Sequence, residues 1–366
     1  MNPKILKNRL QKIFKHTKVS KILLVNTSSQ DPNFVYLTDF YGGLFEGSIL
    51  LVEKNGVTLF TYPLEYETAK SQAIKGMKII NLDKKEKFNL LINSAKGKAI
   101  GVNESFIPFK TYKNIKKRMK PKSITDISEA FLYAREVKDT EEITRIRKAN
   151  KITKKAIDHV LKNLRIGMTE REAASEYENY IQTLGADGPS FDSIVCFGAN
   201  AALPHHMPDN TKLKYGDFVL IDVGAKVHNY CSDVTRTVIF GSNRSKIKDY
   251  EKKSRIVNTV YEAQSMAISK IKEGAIGSSI HKIAEKHINS AFGGIYKGTF
   301  IHSLGHSIGI EVHDGTVGSR ALSPGSNLKL KQGMISSVEP GIYIPGFGGA
   351  RKEDDIVVTK KGCEVL

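Results

Sequence analysis

Two segments of this chain set acidic residues inside otherwise apolar, β-rich runs, and closing either one into a hairpin brings two carboxylates together. In FVLIDVGAKVHNYCSDVTRTVIF, the spacing predicts a turn near Val227 and His228 with Asp222 opposite Asp233. Directly opposed residues of an antiparallel pair project from one face with Cβ atoms roughly 4.5–5.5 Å apart. Carboxylates that close repel each other unless a cation lies between them. The segment MISSVEPGIYIPGFGGARKEDDIVVT repeats the arrangement as a strand, a Pro/Gly turn and a returning strand, with Gly346 midway between Glu339 and Glu353.

A single Asp or Glu in a strand ordinarily marks a solvated face. These differ because Val219, Leu220 and Ile221 run into Asp222, and Ile335 to Val338 run into Glu339, where an unpaired carboxylate is costly. His306, in IHSLGHSIGIEVHD, would add one nitrogen. Four carboxylates carry four negative charges and two divalent cations cancel them, so the expectation is a site for two metal ions. Oxygen-rich ligation with a single imidazole suits Mn²⁺ first, with Co²⁺, Zn²⁺ or Fe²⁺ as alternatives, and does not suit a thiolate-dependent site.

At 366 residues the chain has room for two domains. It has no apolar run of membrane-spanning length and no apolar stretch of signal-peptide length near its N-terminus, so the expected location is cytoplasmic, with no membrane partner. Cys196, Cys231 and Cys363 lack any CxxC spacing, which argues against a disulfide framework. The net charge of +18 is concentrated early: residues 1–138 carry 25 Lys/Arg against 12 Asp/Glu. Runs such as KNIKKRMKPK at 113–122 could meet a polyanion, but they hold little Arg or interleaved aromatic residue. They read as a solvated surface, and nucleic acid is not expected as a partner.

Short β-rich runs (Lys21 to Val25, Ser48 to Val52, Val57 to Phe60, Lys78 to Leu82, Lys98 to Val102) alternate with helical stretches and predict an α/β N-terminal domain around a mixed sheet. Asp139 with Glu142 is a capping signature for a long amphipathic helix, and Thr169 with Glu172 repeats it for a helix ending at Gly185. Further helices are expected at about 245–273 and 278–292. With the carboxylate hairpins around them, these make an α+β second domain: an antiparallel, curved sheet covered by helices. The domains are placed at 1–136 and 137–366.

ALPHH at 202–206, LIDVGA at 220–225, CSDVTRT at 231–237, HSLGHSIGIEVHD at 302–314, VEPGIYIPG at 338–346 and GGARKEDD at 348–355 together closely resemble the proline-specific metallopeptidases of family M24. These are the Xaa-Pro dipeptidases (prolidases) and aminopeptidases P, whose pita-bread (creatinase/aminopeptidase-like) catalytic fold is shared with methionine aminopeptidase and creatinase. The resemblance is strong over the C-terminal 228 residues; the first 138 match in size and α/β texture, and REVKDTEEITRIRKA resembles the family's linker.

The resemblance implies a dinuclear-metal exopeptidase that hydrolyses the bond between an N-terminal residue and proline in a di- or oligopeptide. Asp222 would chelate one ion, Asp233 and Glu353 would bridge both, and His306 with Glu339 would complete the second. Between the ions a water would have its pKa lowered to about 7, with Glu339 as proton shuttle. His205, His302 and His313 resemble the family's substrate-handling set, expected to hydrogen-bond the scissile carbonyl. Arg351 matches a family arginine that orients the bridging carboxylate or shields the site charge. Arg320 is the candidate to grip a dipeptide's free carboxylate; without it, longer peptides would be the substrates. His206 reads as structural, and His159, His281 and His287 as helix-surface residues. A homodimer is expected. Methionine aminopeptidase chemistry is disfavoured by the extra N-terminal domain, creatinase chemistry and a non-catalytic nucleic-acid or protein-binding module by the intact ligand set.

Overall fold

The computed structural model describes residues 1–315 and 321–366, and Arg320 therefore lies outside the described residues. The chain divides into two compact units, Met1–Arg135 and Glu136–Leu366.

In the first unit the apolar runs become strands β1 (Lys21–Val25), β2 (Ile49–Glu53), β3 (Gly56–Thr61), β4 (Lys78–Asn81), β5 (Ala99–Val102) and β6 (Ser123–Asp126). They form one mixed sheet in the order β4-β3-β2-β1-β5-β6. The polar edge strand β6 was not legible as a strand, because SITD offers a single apolar residue. Helices α1 (Pro3–Lys15), α2 (Pro32–Thr38), α3 (Pro63–Gln72), α4 (Lys85–Ala95), α5 (Phe109–Met119) and α6 (Ser128–Glu136) accompany the sheet. Leu91 and Ala95 of α4 and Ile115 and Met119 of α5 pack with Leu23, Ile100 and Val102 in one core, leaving the lysine-rich outer faces of both helices in solvent.

The second unit opens with α7 (Thr140–Asn163), whose start is closed reciprocally: Glu142 N donates to Asp139 Oδ1 at 3.0 Å and Asp139 N to Glu142 Oε2 at 2.9 Å. The same box at Thr169 and Glu172 begins α8 (Glu170–Thr183). Then come β7 (Gly188–Pro189), β8 (Ile194–Phe197), β9 (Phe218–Val223), β10 (Ala225–Val227), β11 (Tyr230–Cys231) and β12 (Val234–Ile239), followed by α9 (Tyr250–Ile268) and α10 (Gly277–Ser290). The unit closes with β13 (Ile335–Val338), β14 (Gly341–Ile344), β15 (Gly348–Arg351), β16 (Asp354–Val358) and β17 (Cys363–Val365). All pairings here are antiparallel.

Strand β9 is buried on both faces, which is why FVLIDV lacks a polar alternation. Val219, Ile221 and Val223 join a core with α7 and α8, while Phe218 and Leu220 join a second core with α9 and α10. Asp222 follows Leu220 with the two-residue period of a strand and so points to the same side.

Candidate metal centre

Both predicted hairpins form, and their registers differ in how closely they match expectation. In the second, Val338 pairs with Asp354 and Gly341 with Arg351, so Glu339 and Glu353 face each other in continuous register around Gly346, whose φ is +75°. Pro340 has no N–H to give, and the ladder breaks there into β13–β16 and β14–β15, with the two glutamates at the break.

In the first hairpin the turn residues are His228 and Asn229, both left-handed (φ 45° and 68°). The centre is thus one residue later than expected, and Asp222 pairs with Thr235, not with Asp233. A one-residue move of the centre shifts the register by two, and two is the side-chain period of a strand. Asp233 therefore keeps the face of Asp222 as its diagonal neighbour. At Asp233 the chain has left the ladder, and its N–H donates instead to Asp355 Oδ2 at 3.0 Å.

The two hairpins are stitched side by side. Glu353 N donates to Thr235 O at 3.1 Å, Thr235 Oγ1 to Glu353 Oε2 at 2.7 Å, and Thr237 Oγ1 to Arg351 O at 2.8 Å. The segment around His306 joins them, since Ser337 N donates to His306 O at 2.8 Å and Glu339 N to Leu304 O at 2.7 Å. Ligand-type atoms of Asp233, His306 and Glu353 consequently lie within 4.8 Å of one another. Asp222 and Glu339 line the same cleft of about 1340 Å³, together with His205, His302, His313 and Arg351.

Burial gives this cluster its electrostatics. Desolvation, then the charges of Glu353 and Asp222, push the carboxyl of Asp233 well up; desolvation, then Glu339, do the same to Glu353. Desolvation pushes Glu339 up to about 8, and it pushes His306 down to about 3, so His306 is neutral. Its Nδ1 lies 3.1 Å from Val312 O and must carry the proton, because a carbonyl only accepts. Nε2 is then a lone pair facing Glu339 Oε1 at 3.3 Å and Asp233 Oδ2 at 3.6 Å. With Glu339 and Asp233 ionised, three acceptors converge with no donor among them. Asp222 Oδ1, Asp233 Oδ1 and Glu353 Oε1 are likewise buried without a hydrogen-bond partner among the described residues. A donor set of this kind fits divalent cations.

Arg351 is buried and bonds Asp222 Oδ2 through Nη2, Tyr343 Oη at 2.8 Å through Nη1, and Thr235 Oγ1 at 3.1 Å through Nε. Its direct carboxylate is thus Asp222, and it reaches Glu353 only through Thr235. His302 donates from Nδ1 to Ser303 O at 2.7 Å, and its Nε2 meets Tyr343 Oη at 2.8 Å. Both of its nitrogens are engaged within the protein. His205 and His313 are exposed to the cleft, and the His313 ring packs edge-on to His306 at 4.1 Å between centroids.

Residues not singled out from sequence are Tyr343, Thr235, Ser337 and Asp355. Strand alternation was the available signal: Thr235 follows Asp233, and Asp355 follows Glu353, by two residues. His206 is held by Glu170 at 2.8 Å and is structural as expected. His281 corrects its surface reading: it is buried on α10, its ring stacked on Phe300 at 5.4 Å.

Comparison with known proteins agrees with this geometry. Residues 144–360 match the model of metallopeptidase family M24, and residues 7–137 match the creatinase/prolidase N-terminal domain. An Xaa-Pro dipeptidase of Pyrococcus horikoshii is 32% identical over 363 residues, 99% of this chain and 97% of that one. Among solved structures, an Xaa-Pro dipeptidase from Bacillus anthracis superposes with a TM-score of 0.85 at 32% identity, covering 98% of this chain and 96% of that one. An X-Pro aminopeptidase from Thermotoga maritima gives 0.84 at 31% identity, with 98% and 96% coverage. The chain belongs to metallopeptidase family M24, a pita-bread hydrolase unit preceded by a creatinase/prolidase N-terminal domain.

Proposed function

We propose that this protein is an Xaa-Pro dipeptidase whose centre binds two divalent ions, Mn²⁺ foremost, through Asp222, Asp233, His306, Glu339 and Glu353. The observation that carries the reading is the His306 Nε2 lone pair facing the oxygens of Glu339 and Asp233, an arrangement that leaves no donor between them once both acids are ionised. Asp222 would hold one ion, Asp233 and Glu353 both, and His306 with Glu339 the other. When bound, the ions would supply the positive charge that acidifies a water to a pKa of about 7 and polarises a carbonyl.

The chain's own residues supply the rest. Glu339, its Oε1 already accepting from Ser337 Oγ at 3.1 Å, is the group to take and return a proton. His205 and His313, exposed in the cleft, would donate to the carbonyl oxygen as charge develops on it. His302, with both nitrogens engaged, would brace Tyr343 and Arg351 and so hold Asp222 in place. Phe191, Ile194, Leu203 and Met207 give the cleft an apolar wall for a proline ring and its neighbour. The domain limits of this reading are 1–136 and 137–366.

A second reading, aminopeptidase P activity on longer peptides, is favoured by one observation: the Thermotoga maritima aminopeptidase fits the chain as well as the dipeptidases do. Release of free amino acid from an Xaa-Pro dipeptide and from an Xaa-Pro-Xaa tripeptide, by chelator-stripped protein with and without Mn²⁺, separates the two. Metal-dependent cleavage of the dipeptide alone supports the first reading, and cleavage of the tripeptide the second. Cleavage of neither overturns both. An Arg320→Ala variant that loses the dipeptide activity would assign the carboxylate grip. Cytoplasmic location and a homodimer complete the proposal. Three free cysteines accord with a reducing compartment, and sedimentation at micromolar concentration tests the dimer. No described helix is long and apolar enough to cross a membrane.

A further inference from the structure

Glu170, the first residue of α8, is fully buried, and its carboxylate is saturated with donors. Oε1 accepts from Phe197 N at 2.7 Å and from Asn200 Nδ2 at 2.9 Å. Oε2 accepts from Asp209 N at 3.1 Å and lies 2.8 Å from His206 Nε2, the ring nitrogen that carries the hydrogen because a carboxylate only accepts. The four donors come from the start, middle and end of the loop that carries His205. Beyond the 3₁₀ turn Gly198–Ala202, residues 203–210 have no regular structure to set their course.

Within that loop His205 and His206 both border the cleft, and His206 is the one anchored. His206 is held on Glu170, and His205 is exposed to the cleft, flanked by the exposed side chains of Leu203 and Met207. Because His206 is the next residue, a backbone shift that withdraws His205 also pulls on the bond from His206 to Glu170. Further holds are Arg171 Nε to Pro208 O at 3.2 Å, beyond the histidines, and Arg351 Nη2 to Pro204 O, long at 3.5 Å.

We propose that Glu170 and His206 are a positioning pair for His205, fixing where its ring meets the scissile carbonyl while touching neither substrate nor metal. This rests on the reading of His205 as a carbonyl donor. A donor aimed at developing charge is effective only at the position that charge will occupy, so a loop free to shift would forfeit most of its contribution.

The test is a double-mutant cycle on the Mn²⁺-loaded full chain with an Xaa-Pro dipeptide. His205→Ala is expected to lower kcat about 10²–10³-fold, and Glu170→Gln about 10- to 100-fold. The double variant should be no slower than His205→Ala alone, with two metal ions per chain in all four proteins. His206→Gln, whose amide can still donate to Glu170, should keep more activity than His206→Leu. If Glu170→Gln fails to fold, His206→Leu and His205→Ala run the same cycle. Effects that multiply in the double variant, or a His206→Leu protein as active as wild type, would overturn the inference alone. A wild-type chain that cleaves no Xaa-Pro peptide would overturn the functional reading and this inference with it.

Discussion

Two clusters in the second unit each bring a histidine and two carboxylates within 4.8 Å: Asp233, His306 and Glu353 in one, Glu170, His206 and Asp209 in the other. By proximity they are equivalent, and by hydrogen bonding they are opposites. Glu170 has a donor on every side, and Asp209 Oδ1 accepts from Thr211 N at 2.6 Å. Asp233 and Glu353 each keep a buried oxygen without a partner, and His306 turns a lone pair toward acceptors. A buried polar cluster that is satisfied has nothing left to bind with. One that is desolvated and unsatisfied needs a ligand, or protons in its place, to complete it. The difference lies in the backbone: the Glu170 cluster sits where a loop offers N–H groups, whereas the other sits at two ladder breaks.

The largest expected effects would break this contrast if absent. Glu339→Gln should cost about 10²–10⁴-fold in activity, and Asp233→Asn should bring bound metal below two ions per chain by elemental analysis. Glu170→Gln should leave the metal content unchanged; loss of metal from it would show that the second cluster is a ligand site after all.

Next in size is Arg351→Leu. It strands Asp222 without its buried counter-ion and should cost about 3–5 kcal/mol in urea unfolding of the metal-free chain. A loss under about 1 kcal/mol would mean that the pair is not held in the dry environment seen here.

Chelation sharpens the comparison through pH. In the metal-free chain the carboxyls of Asp233, Glu339 and Glu353 are pushed up, Glu339 from its ordinary 4.5 to about 8. Above the ordinary histidine value of 6.5 these raised carboxyls leave the folded state holding more protons than the unfolded state, so its stability falls as pH rises from about 6.5 through about 8; below 6.5 His302 and His306, pushed down to about 4 and about 3, oppose them. Bound cations favour the charged carboxylates and should flatten the profile, adding about 2.7 kcal/mol where free metal is 100 times its Kd. Melting curves of chelated and Mn²⁺-loaded protein between pH 6.5 and pH 8 check this, and a flat chelated profile would refute it.

The smallest effect is that of Tyr343→Phe. Removing the hydroxyl that links Arg351 to His302 leaves both with an unmet partner and should cost about 1–3 kcal/mol. That loss should appear in kcat more than in KM if the link serves Asp222, and equally in both if it serves only packing.

Composition and periodicity made much of this readable in advance: the mixed sheet of the first unit, both capping boxes, and two carboxylate hairpins with inward-facing acids. The turn at His228–Asn229 was not readable to the residue, because either of two adjacent centres leaves the same apolar face inward. The parity survived the slip, and with it the expectation that Asp222 and Asp233 share a face. Asp355 and Thr235 were hidden for a different reason. Their parts depend on which strand of one hairpin lies beside which strand of the other, and no spacing within either segment encodes that.

What the sequence determined by itself was the ligand chemistry: four acids and a histidine in apolar surroundings permit few stable outcomes, since burial without a cation is too costly. What only the tertiary structure decided was the state of each group. His206 and His306 are both histidines beside carboxylates, yet one meets its carboxylate as a donor and the other turns a lone pair toward its own. That distinction is set for His306 by the carbonyl at its far ring nitrogen and for Glu170 and His206 by the nearby backbone N–H groups, and both are properties of the packed fold.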